Sequence, residues 1–504
     1  MTKFVTKVVV VGAGLSGLQA ARLLHKQGID VHVVEASERI GGRTKGHTFG
    51  EDGKVDLGGA FMLVFTEHFD QGFRTLHTEK GTTLNLTLQG QWVGRSQKHI
   101  IKLLEELDIS LYDQYVKGNK LQVHPKYGNK TYTGTIPPLS ATGLADLQLN
   151  GINRIERLMQ GINMDDPSLS DNAIEFDNMT LESFANVHCK TEDAKQTIAL
   201  ATRTLFGAEP GEISFLFFLY YMKAGGGLTT LISSKDGAQE FKISSTASSI
   251  AFRLADDLPS DQIHLKAPAS RLVQTDTGVT VYTGYPGAEG PTIEADYAIL
   301  AIPPSQAGHI KYEPDMPFER VKLCEKAFMG AIVKIFVRYV TAFWRDDGYA
   351  GETIFYDSDN ELSPISMQDP MKVKARILTK LVECFGEKAN NPIDWVAQEW
   401  NTVTNMYGAY SNNLPPGCLS LFGDALRTPV GRVHFAGTEA ATEDAGYLSG
   451  ALQSAERAAN EVSECIRENT PWLLIGAHQN ILEEKRARKP AMHTPVKKSG
   501  CAIL

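Results

Sequence analysis

A strand, a glycine-rich turn and a helix near the start of the chain constrain its fold more than any other feature. Residues 8–11 are an unbroken run of valines, which is typical of a buried parallel strand. A GxGxxG turn over residues 12–17 follows, and then an apolar stripe at helical spacing that ends at Gly28. A second apolar strand, residues 29–34, ends at Glu35. This order of elements predicts a dinucleotide-binding βαβ unit rather than a structural turn.

Each part of this unit suits one part of a dinucleotide. Gly12 permits the tight turn, Gly14 lets the backbone approach a pyrophosphate, and Gly17 lets the helix pack close to the strand. The start of the helix offers free N–H groups and a partial positive charge to the phosphates. Glu35 is placed to accept hydrogen bonds from a ribose diol, and it would repel a 2′-phosphate. The motif alone does not separate NAD from FAD.

The loop after the second strand is Arg39-Ile40-Gly41-Gly42-Arg43-Thr44. Its two glycines allow the backbone to pass close to the phosphates, and Arg43 can add a charge-assisted contact to them. An ordinary turn with an exposed arginine is the alternative interpretation of this hexapeptide.

Composition narrows the class of protein. A chain of 504 residues is long enough for two or three domains, and its net charge of −9 argues against nucleic acid as the main partner. The six cysteines are scattered without a CxxC pair, so we predict neither a metal site nor a disulfide framework. There is no signal peptide and no run of about 18 apolar residues. We therefore expect a cytoplasmic protein, or one on the cytosolic face of a membrane.

The rest of the chain alternates between helical and α/β patterns. Helices are predicted over most of residues 144–205, a short antiparallel sheet over residues 112–134, and a core helix in the apolar stretch 215–222. Strands return from residue 236 onward, and a strand and turn at residues 431–439 precede a helix opened by Gly446. That second glycine-lined helix start is suited to the N1–C2=O edge of a flavin, as the first is to the pyrophosphate.

Taken in order, these motifs resemble the flavin-containing amine oxidase family, and most of all the monoamine oxidases. The resemblance covers residues 7–59 and most of 91–462. It rests on GAGLSG, EASERIGGRT, DLGG with QWVGRSQ, the AIPP strand end, MGAIVK with FW, the LPPG turn, and FAGTEAAT with GYLSGALQSAERAA. It implies an α/β fold with a Rossmann-like FAD-binding domain of the glutathione-reductase/amine-oxidase type and an interleaved α+β substrate domain.

The predicted domain boundaries follow from that fold. The FAD-binding domain is expected at residues 1–97, 237–305 and 403–465, and the substrate-binding domain at residues 98–236 and 306–402. Residues 466–504 form a basic C-terminal tail. The oligomeric state is open, and a homodimer is one option.

The resemblance also implies the site, residue by residue. Val273 would meet the adenine side through its backbone, and Trp400 would flank the isoalloxazine. The residues expected to bind FAD are Gly12, Ala13, Gly14, Ser16, Gly17, Glu35, Ala36, Arg43, Gly58, Gly59, Val273, Trp400, Thr438, Glu439, Tyr447 and Leu448.

Three catalytic residues are implied in the same way. Lys334 matches the family lysine that holds a water against flavin N5 and assists the reaction with oxygen; without the resemblance, a lysine snorkelling from a strand end is the favoured interpretation. Tyr410 and Tyr447 match two aromatic residues that face each other in front of the flavin. Two ring faces would orient the nitrogen of an amine and exclude water.

The implied reaction is oxidation of a primary amine to an imine by hydride transfer from the α-carbon to FAD, with O2 reduced to hydrogen peroxide. The imine then hydrolyses to an aldehyde or ketone. Polyamine or L-amino-acid oxidation is the alternative within enzymes. From another class, the chain could be a catalytically impaired flavoprotein that acts as a membrane-tethered binding protein.

The chain departs from the family pattern at three places. Ala409 stands where animal monoamine oxidases carry the flavin-linking cysteine, and Cys418 is a poor substitute, so we predict non-covalent FAD. Residues 60–90 interrupt a family motif and are interpreted as an insertion beside the flavin. The segment 367–391 is shorter than in the family, so part of the substrate-domain sheet is expected to be missing.

The last four residues, Cys501-Ala502-Ile503-Leu504, form a CaaX sequence whose terminal leucine favours geranylgeranylation of Cys501. Basic residues upstream supply the second, electrostatic signal that stable anchoring needs. A lipid anchor is therefore predicted, with a free disordered tail as the alternative.

Overall fold

The computed structural model of the chain describes residues 2–49, 53–56, 63–66, 84–85, 92–124, 127–355 and 370–469. The strands are β1 (Lys3–Val11), β2 (Val31–Val34), β3 (Gly46–Phe49), β4 (Gly53–Asp56), β5 (Leu63–Thr66), β6 (Leu84–Asn85), β7 (Trp92–Val93), β8 (Leu111–Asp113), β9 (Asn119–His124), β10 (Gly128–Tyr132), β11 (Phe241–Ile243), β12 (Ile263–His264), β13 (Ala269–Gln274), β14 (Val279–Tyr285), β15 (Ala288–Leu300), β16 (Lys311–Glu313), β17 (Phe328–Met329), β18 (Val333–Arg338), β19 (Tyr349–Phe355), β20 (Asp394–Glu399), β21 (Asn412–Asn413) and β22 (Val433–Phe435).

The α-helices are α1 (Leu15–Lys26), α2 (Lys98–Glu106), α3 (Ala141–Asp146), α4 (Asn153–Leu158), α5 (Ala173–Asp177), α6 (Leu181–His188), α7 (Glu192–Phe206), α8 (Phe215–Ala224), α9 (Leu228–Ile232), α10 (Ala247–Asp256), α11 (Pro304–Ala307), α12 (Phe318–Lys326), α13 (Pro370–Phe385), α14 (Leu419–Phe422) and α15 (Leu448–Glu468). A π-helical segment, Leu147–Ile152, joins α3 to α4. Short 3-10 segments lie at Met159–Gly161, Pro167–Leu169, Ser260–Gln262, Phe343–Arg345, Glu387–Asn390, Gly423–Leu426 and Thr438–Ala440.

The main sheet has the strand order β12-β2-β1-β15-β14-β13-β16, with β22 also paired to β15. β1 lies between β2 and β15 and is parallel to both, with Val10 opposite Val33 on one side and Ile299 on the other. Val8, Val9 and Val10 are fully buried because both faces of the sheet are covered. The predicted Rossmann-like α/β fold is confirmed.

One face of this sheet carries helices α1, α10 and α15, which share a core that includes Leu18, Ile250 and Ala455. α1 packs directly against α15, so the first and last helices of the sheet lie side by side. Helix α2 contributes Leu103 and Leu104 to the same core, although the predicted boundary at residue 98 assigns it to the substrate-binding domain. We propose that the first boundary lies after α2.

A second core is helical. The predicted core helix at residues 215–222 is confirmed as α8, where every residue from Phe215 to Met222 is buried. The rings of Phe184 and Phe215 stack there with centroids 4.0 Å apart. No helix in the described part of the chain is long and apolar enough to cross a membrane.

The predicted antiparallel sheet at residues 112–134 is only partly correct. β9 and β10 form the hairpin, with Leu121 opposite Thr131. β8, however, pairs with β11 in a separate sheet of order β7-β11-β8. That pairing sets Leu111 opposite the fully buried Ile243, so a long-range apolar contact prevails over the local hairpin.

A third sheet of order β20-β18-β5 carries Lys334 on β18. β5 and β6 fall within the predicted insertion, and β5 runs parallel to β18 with Leu63 opposite Ile335. The other residues of 60–90 lie outside the described residues, and so do residues 367–369 of the shortened region. The insertion and the missing strand therefore stay predictions.

Candidate active site

A cavity of about 1490 Å³ extends from the start of α1 to the start of α15. This volume exceeds the ~300–1,000 Å³ of most small-ligand pockets, so a dinucleotide and a second small molecule can share it. Both glycine-lined helix starts therefore face one cavity. The predicted site residues that line it are Gly12, Gly14, Ser16, Glu35, Ala36, Arg43, Tyr410, Thr438, Tyr447 and Leu448.

The turn before α1 has the shape that a pyrophosphate needs. Gly12 has φ +102°, and a Cβ on Gly17 would lie 1.9 Å from the Gly12 carbonyl oxygen. A Cβ on Gly14 would meet no protein atom within 4 Å, so open space lies against its backbone. Gly14 is also the N-cap of α1, and no side chain among the described residues caps the helix there. The first N–H groups of the helix are therefore available to an anion.

Glu35 is buried and fixed at the edge of the sheet. Its Oε2 accepts a hydrogen bond from Ala13 N at 2.7 Å, and its Oε1 accepts one from Ser37 N at 2.9 Å. Each carboxylate oxygen keeps a further lone pair for a ligand hydroxyl. Together with the open space at Gly14, this carboxylate fits the ribose and pyrophosphate of an FAD molecule.

The arginines of the Arg39–Thr44 loop have different partners. Arg39 donates to the carbonyl groups of Ile40, Gly42 and Thr44 and holds the loop closed. Arg43 lines the cavity, but its guanidinium pairs with Glu439 at 2.6 Å and donates to the Tyr410 carbonyl at 2.8 Å. Arg43 thus makes an ion pair and a hydrogen bond that fix the backbone of Tyr410, and its phosphate contact stays a prediction.

The start of α15 meets the start of α1 through serines. Ser16 Oγ lies 3.2 Å from Ser454 Oγ, and Gly437 N donates to both hydroxyls. Thr438 Oγ1 donates to the Tyr447 carbonyl at 2.9 Å. These bonds fix the two glycine-lined helix starts relative to each other.

Three tyrosines line the cavity near α15: Tyr221, Tyr410 and Tyr447. The ring centroids of Tyr221 and Tyr447 are 6.2 Å apart with a tilt of 41°. Burial raises the pKa of both tyrosines well above the usual value, so both stay neutral over the physiological pH range. Neutral ring faces and hydroxyl groups therefore surround this end of the cavity.

Other predicted site residues lie behind the cavity wall. Lys334 is fully buried, with Nζ 5.0 Å from the Phe336 ring centroid, whereas its neighbours Ile332 and Val333 line the cavity. Trp400 is fully buried against Met406 and Ala409. The remaining residues behind the wall are Ala13, Gly17, Val273 and Glu439. Gly58, Gly59 and Cys501 lie outside the described residues.

Two residues of the cavity wall have candidate roles that the sequence did not reveal. Tyr221 lies in the apolar run of α8. In the sequence, the only signal for it is the change from phenylalanine to tyrosine within that run. Lys242 lies on β11 opposite Trp92, and its ammonium group makes no hydrogen bond or ion pair with any described residue. Burial, together with a smaller effect of the Arg345 charge, lowers the pKa of Lys242 to about 7.

Comparison with known proteins gives concordant matches. The family model for flavin containing amine oxidoreductase matches residues 15–463. Probable flavin-containing monoamine oxidase A of Dictyostelium discoideum is 30% identical over 481 residues, covering 91% of this chain and 97% of that protein. Amine oxidase [flavin-containing] B of Homo sapiens is 32% identical over 485 residues, covering 90% and 85%.

Solved structures agree with these relatives. Cyclohexylamine oxidase from Brevibacterium oxydans IH-35A superimposes with a TM-score of 0.80 at 26% identity, covering 92% of this chain and 99% of that one. Putrescine oxidase bound to putrescine gives a TM-score of 0.79 at 24% identity, covering 92% and 100%.

Proposed function

Because this chain belongs to the flavin-containing amine oxidoreductase family, we propose that it oxidises a primary amine to an imine with FAD as cofactor and O2 as electron acceptor. The imine is released and is then hydrolysed to an aldehyde or ketone and ammonia. The observation that carries this proposal is the single cavity shared by Gly14, Glu35, Tyr410 and Tyr447. It offers a dinucleotide site and an aromatic site in one continuous space.

The residues present fit FAD at both ends. We assign the pyrophosphate to the free N–H groups of α1, the adenosine ribose to Glu35, and the flavin ring to the start of α15. When bound, FAD supplies the two-electron acceptor for amine oxidation. The protein positions the amine and excludes water.

At the flavin end, the tyrosines bind the amine. The rings of Tyr410 and Tyr447 orient the nitrogen between neutral aromatic faces, and attraction between a cation and the rings draws the protonated amine into the cavity. Lys334 is assigned to the water that assists reoxidation by O2. The support for this assignment is the family motif that Lys334 matches, since the side chain itself does not line the cavity.

We assign non-covalent attachment to the FAD. Ala409 is fully buried and has no group that can bond to the flavin. Cys418 is fully buried in the helical core, where burial raises its pKa to about 12, so its thiol is not poised to react. Acid precipitation is expected to release all the yellow colour into the supernatant, and colour in the pellet would contradict this assignment.

The test of the function is anaerobic reduction of the bound flavin. The purified protein is mixed with benzylamine, hexylamine, spermidine and an L-amino acid in separate experiments, and the visible flavin band is followed. Bleaching by benzylamine or hexylamine supports the proposal. A flavin-loaded protein that none of the four compounds reduces would refute it, and a protein without flavin would favour the binding-protein alternative.

A second candidate substrate is an amine that carries a carboxylate, as in L-amino-acid oxidation. Lys242 favours it, because an ammonium group in the cavity wall without a described partner is stabilised by an anionic substrate group. Under this candidate the amino acid reduces the flavin faster than hexylamine, and Lys242→Met removes that preference. Spermidine tests the polyamine alternative, for which Glu182 and Glu212 line the same cavity.

We also propose that the C-terminal tail tethers the protein to a membrane through geranylgeranyl at Cys501. The CaaX sequence and the basic residues upstream support this proposal. Mass spectrometry of protein expressed in a eukaryotic cell is expected to show loss of the last three residues and a lipid on Cys501. An unmodified Cys501 followed by an intact Leu504 would contradict it.

A further inference from the structure

Tyr221 is held rigidly by the helical core. It lies on α8, its side chain is only 4% exposed, and it lines the cavity. Its ring centroid is 4.6 Å from that of Phe206 and 6.3 Å from that of Phe217. Because its neighbours on α8 are buried too, the hydroxyl of Tyr221 has one fixed position in the cavity wall.

That hydroxyl meets the start of α15. A Cβ on Gly446 would lie 2.5 Å from Tyr221 Oη, so the tyrosine occupies the space that a side chain would need there. The ring centroids of Tyr221 and Tyr447 are 6.2 Å apart with a tilt of 41°, so the two rings are neighbours at the start of α15. The interaction with the Tyr447 side chain adds to the effect of burial in raising the pKa of Tyr221.

Tyr447 needs such a contact. It is the N-cap of α15 with extended backbone, φ −104° and ψ 169°, so it lies before the first turn of the helix. Thr438 fixes its carbonyl but not its ring. Contact with a tyrosine anchored in the helical core restricts the ring of Tyr447 to one orientation.

From this geometry we infer that Tyr221 is a positioning residue of the amine site, which holds the ring of Tyr447 in the orientation that receives the substrate. The inference rests on the proposed amine oxidation. Tyr221 acts through Tyr447, whose ring packs against the same helical core, so Tyr221 holds the start of α15 against that core.

The first experiment compares Tyr221→Phe with Tyr220→Phe. Tyr220 is a matched control on the same helix, because its buried hydroxyl donates to the Ala441 carbonyl and accepts from Arg427 instead. Tyr221→Phe is expected to keep its flavin and to slow the limiting rate of anaerobic flavin reduction about tenfold, with the amine Kd changed less than about twofold. Tyr220→Phe is expected to lower the Tm without changing that rate. Equal rates in Tyr221→Phe and the wild type would overturn the inference.

The second experiment is a double-mutant cycle with Tyr447→Phe. If Tyr221 acts through the hydroxyl of Tyr447, then Tyr221→Phe has no further effect on the reduction rate in the Tyr447→Phe background. Multiplicative losses in the double variant would overturn the inference.

The visible circular dichroism of the bound flavin provides a readout without turnover. Tyr221→Phe is expected to change that spectrum in the wild-type background and to leave it unchanged in the Tyr447→Phe background. If no amine reduces the wild-type flavin, the proposed function fails, and this spectrum still decides the role of Tyr221. An unchanged spectrum in Tyr221→Phe would then refute it.

Discussion

The proposed nucleotide end and the proposed amine end of the cavity are built from different structural elements. At the nucleotide end, Gly12, Gly14 and Glu35 come from one short stretch of chain, and backbone N–H groups form the binding surface. At the amine end, Tyr221, Tyr410 and Tyr447 come from elements far apart in sequence, and side-chain faces form the surface. A phosphate is recognised by a helix start, which is local, whereas an amine needs ring faces that only the whole fold brings together.

The two ends of the cavity also differ in which atoms would clash with a substituted side chain. A methyl group on Gly17 would meet backbone, the Gly12 carbonyl, whereas one on Gly446 would meet a side chain, that of Tyr221. The Gly12 backbone directly follows β1 and its N–H bonds to the Val34 carbonyl, so it cannot move without disturbing the link between β1 and β2. The Tyr221 ring can be displaced, at the cost of its packing in the helical core. Substitutions at the nucleotide end should therefore affect folding and cofactor binding, and those at the amine end should affect turnover.

The largest effect is expected at Gly17. Gly17→Ala places a Cβ 1.9 Å from the Gly12 oxygen, so we expect a loss of more than about 3 kcal/mol of stability and no bound flavin. Gly14→Ala is the matched control: its Cβ meets no protein atom, so the Tm of the flavin-free protein stays and only flavin content falls. Thermal unfolding and the flavin-to-protein ratio measure both. A Gly17→Ala protein that folds and binds a full complement of flavin would contradict the expected difference between Gly17 and Gly14.

Gly446→Ala is expected to show the opposite pattern. Its φ of +86° and the 2.5 Å approach to Tyr221 Oη should displace the tyrosines and slow anaerobic flavin reduction by about 10- to 100-fold. Flavin content should stay above that of Gly14→Ala, because the pyrophosphate site is untouched. The stopped-flow reduction rate and the flavin ratio are measured together. A large loss of flavin, with a normal reduction rate for the flavin that remains bound, would contradict this expectation.

Substitution of Lys334 tests whether a residue that does not line the cavity contributes to the reaction at the amine end. Lys334→Met is expected to leave amine-dependent flavin reduction within about threefold and to slow reoxidation by O2 at least about tenfold. Lys45→Met is the control, since Lys45 donates to Gln398, the residue opposite Lys334 on β20. Stopped-flow reoxidation in air-saturated buffer separates the two half-reactions. Unchanged reoxidation would assign Lys334 to structure alone.

The smallest effect concerns Asp444, the acid beside the start of α15. Burial raises the pKa of Asp444 to about 6 from an unfolded value of 3.8. The folded state thus holds the proton more tightly, so this contribution to stability is full below pH 3.8 and is lost as the pH rises through 6.

Asp444→Asn keeps the size of the side chain and removes its charge. At pH 8 it is expected to stabilise the protein by about 1–3 kcal/mol, and at pH 4 by close to nothing. Glu35→Gln is the comparison at the nucleotide end, where two backbone N–H groups support the carboxylate and no gain is expected. The Tm measured between pH 4 and 8 gives both results. A gain for Asp444→Asn that does not depend on pH would contradict this account.

The βαβ fold at the nucleotide end could be predicted because consecutive residues encode it. The spacing of the glycines and the acid after the second strand determines the local backbone geometry. The valine run identified the central strand. The α8 core helix followed from its apolar run in the same way.

The amine end could be predicted only in part. The motif positions of Tyr410 and Tyr447 lead to the cavity, but Trp400 and Lys334 lie behind its wall. The pairing of Arg43 with Glu439 and the contact of Tyr221 with Gly446 join residues hundreds of positions apart. No local pattern reports such contacts, because they depend on how the two cores meet.

A crystal structure of the protein with FAD bound would show whether both helix starts serve one ligand. We expect one FAD, with its pyrophosphate at the N–H groups of Gly14–Ser16 and its isoalloxazine against Gly446 and Tyr447. A structure in which the flavin ring lies away from Gly446, or in which the two helix starts bind separate ligands, would contradict it.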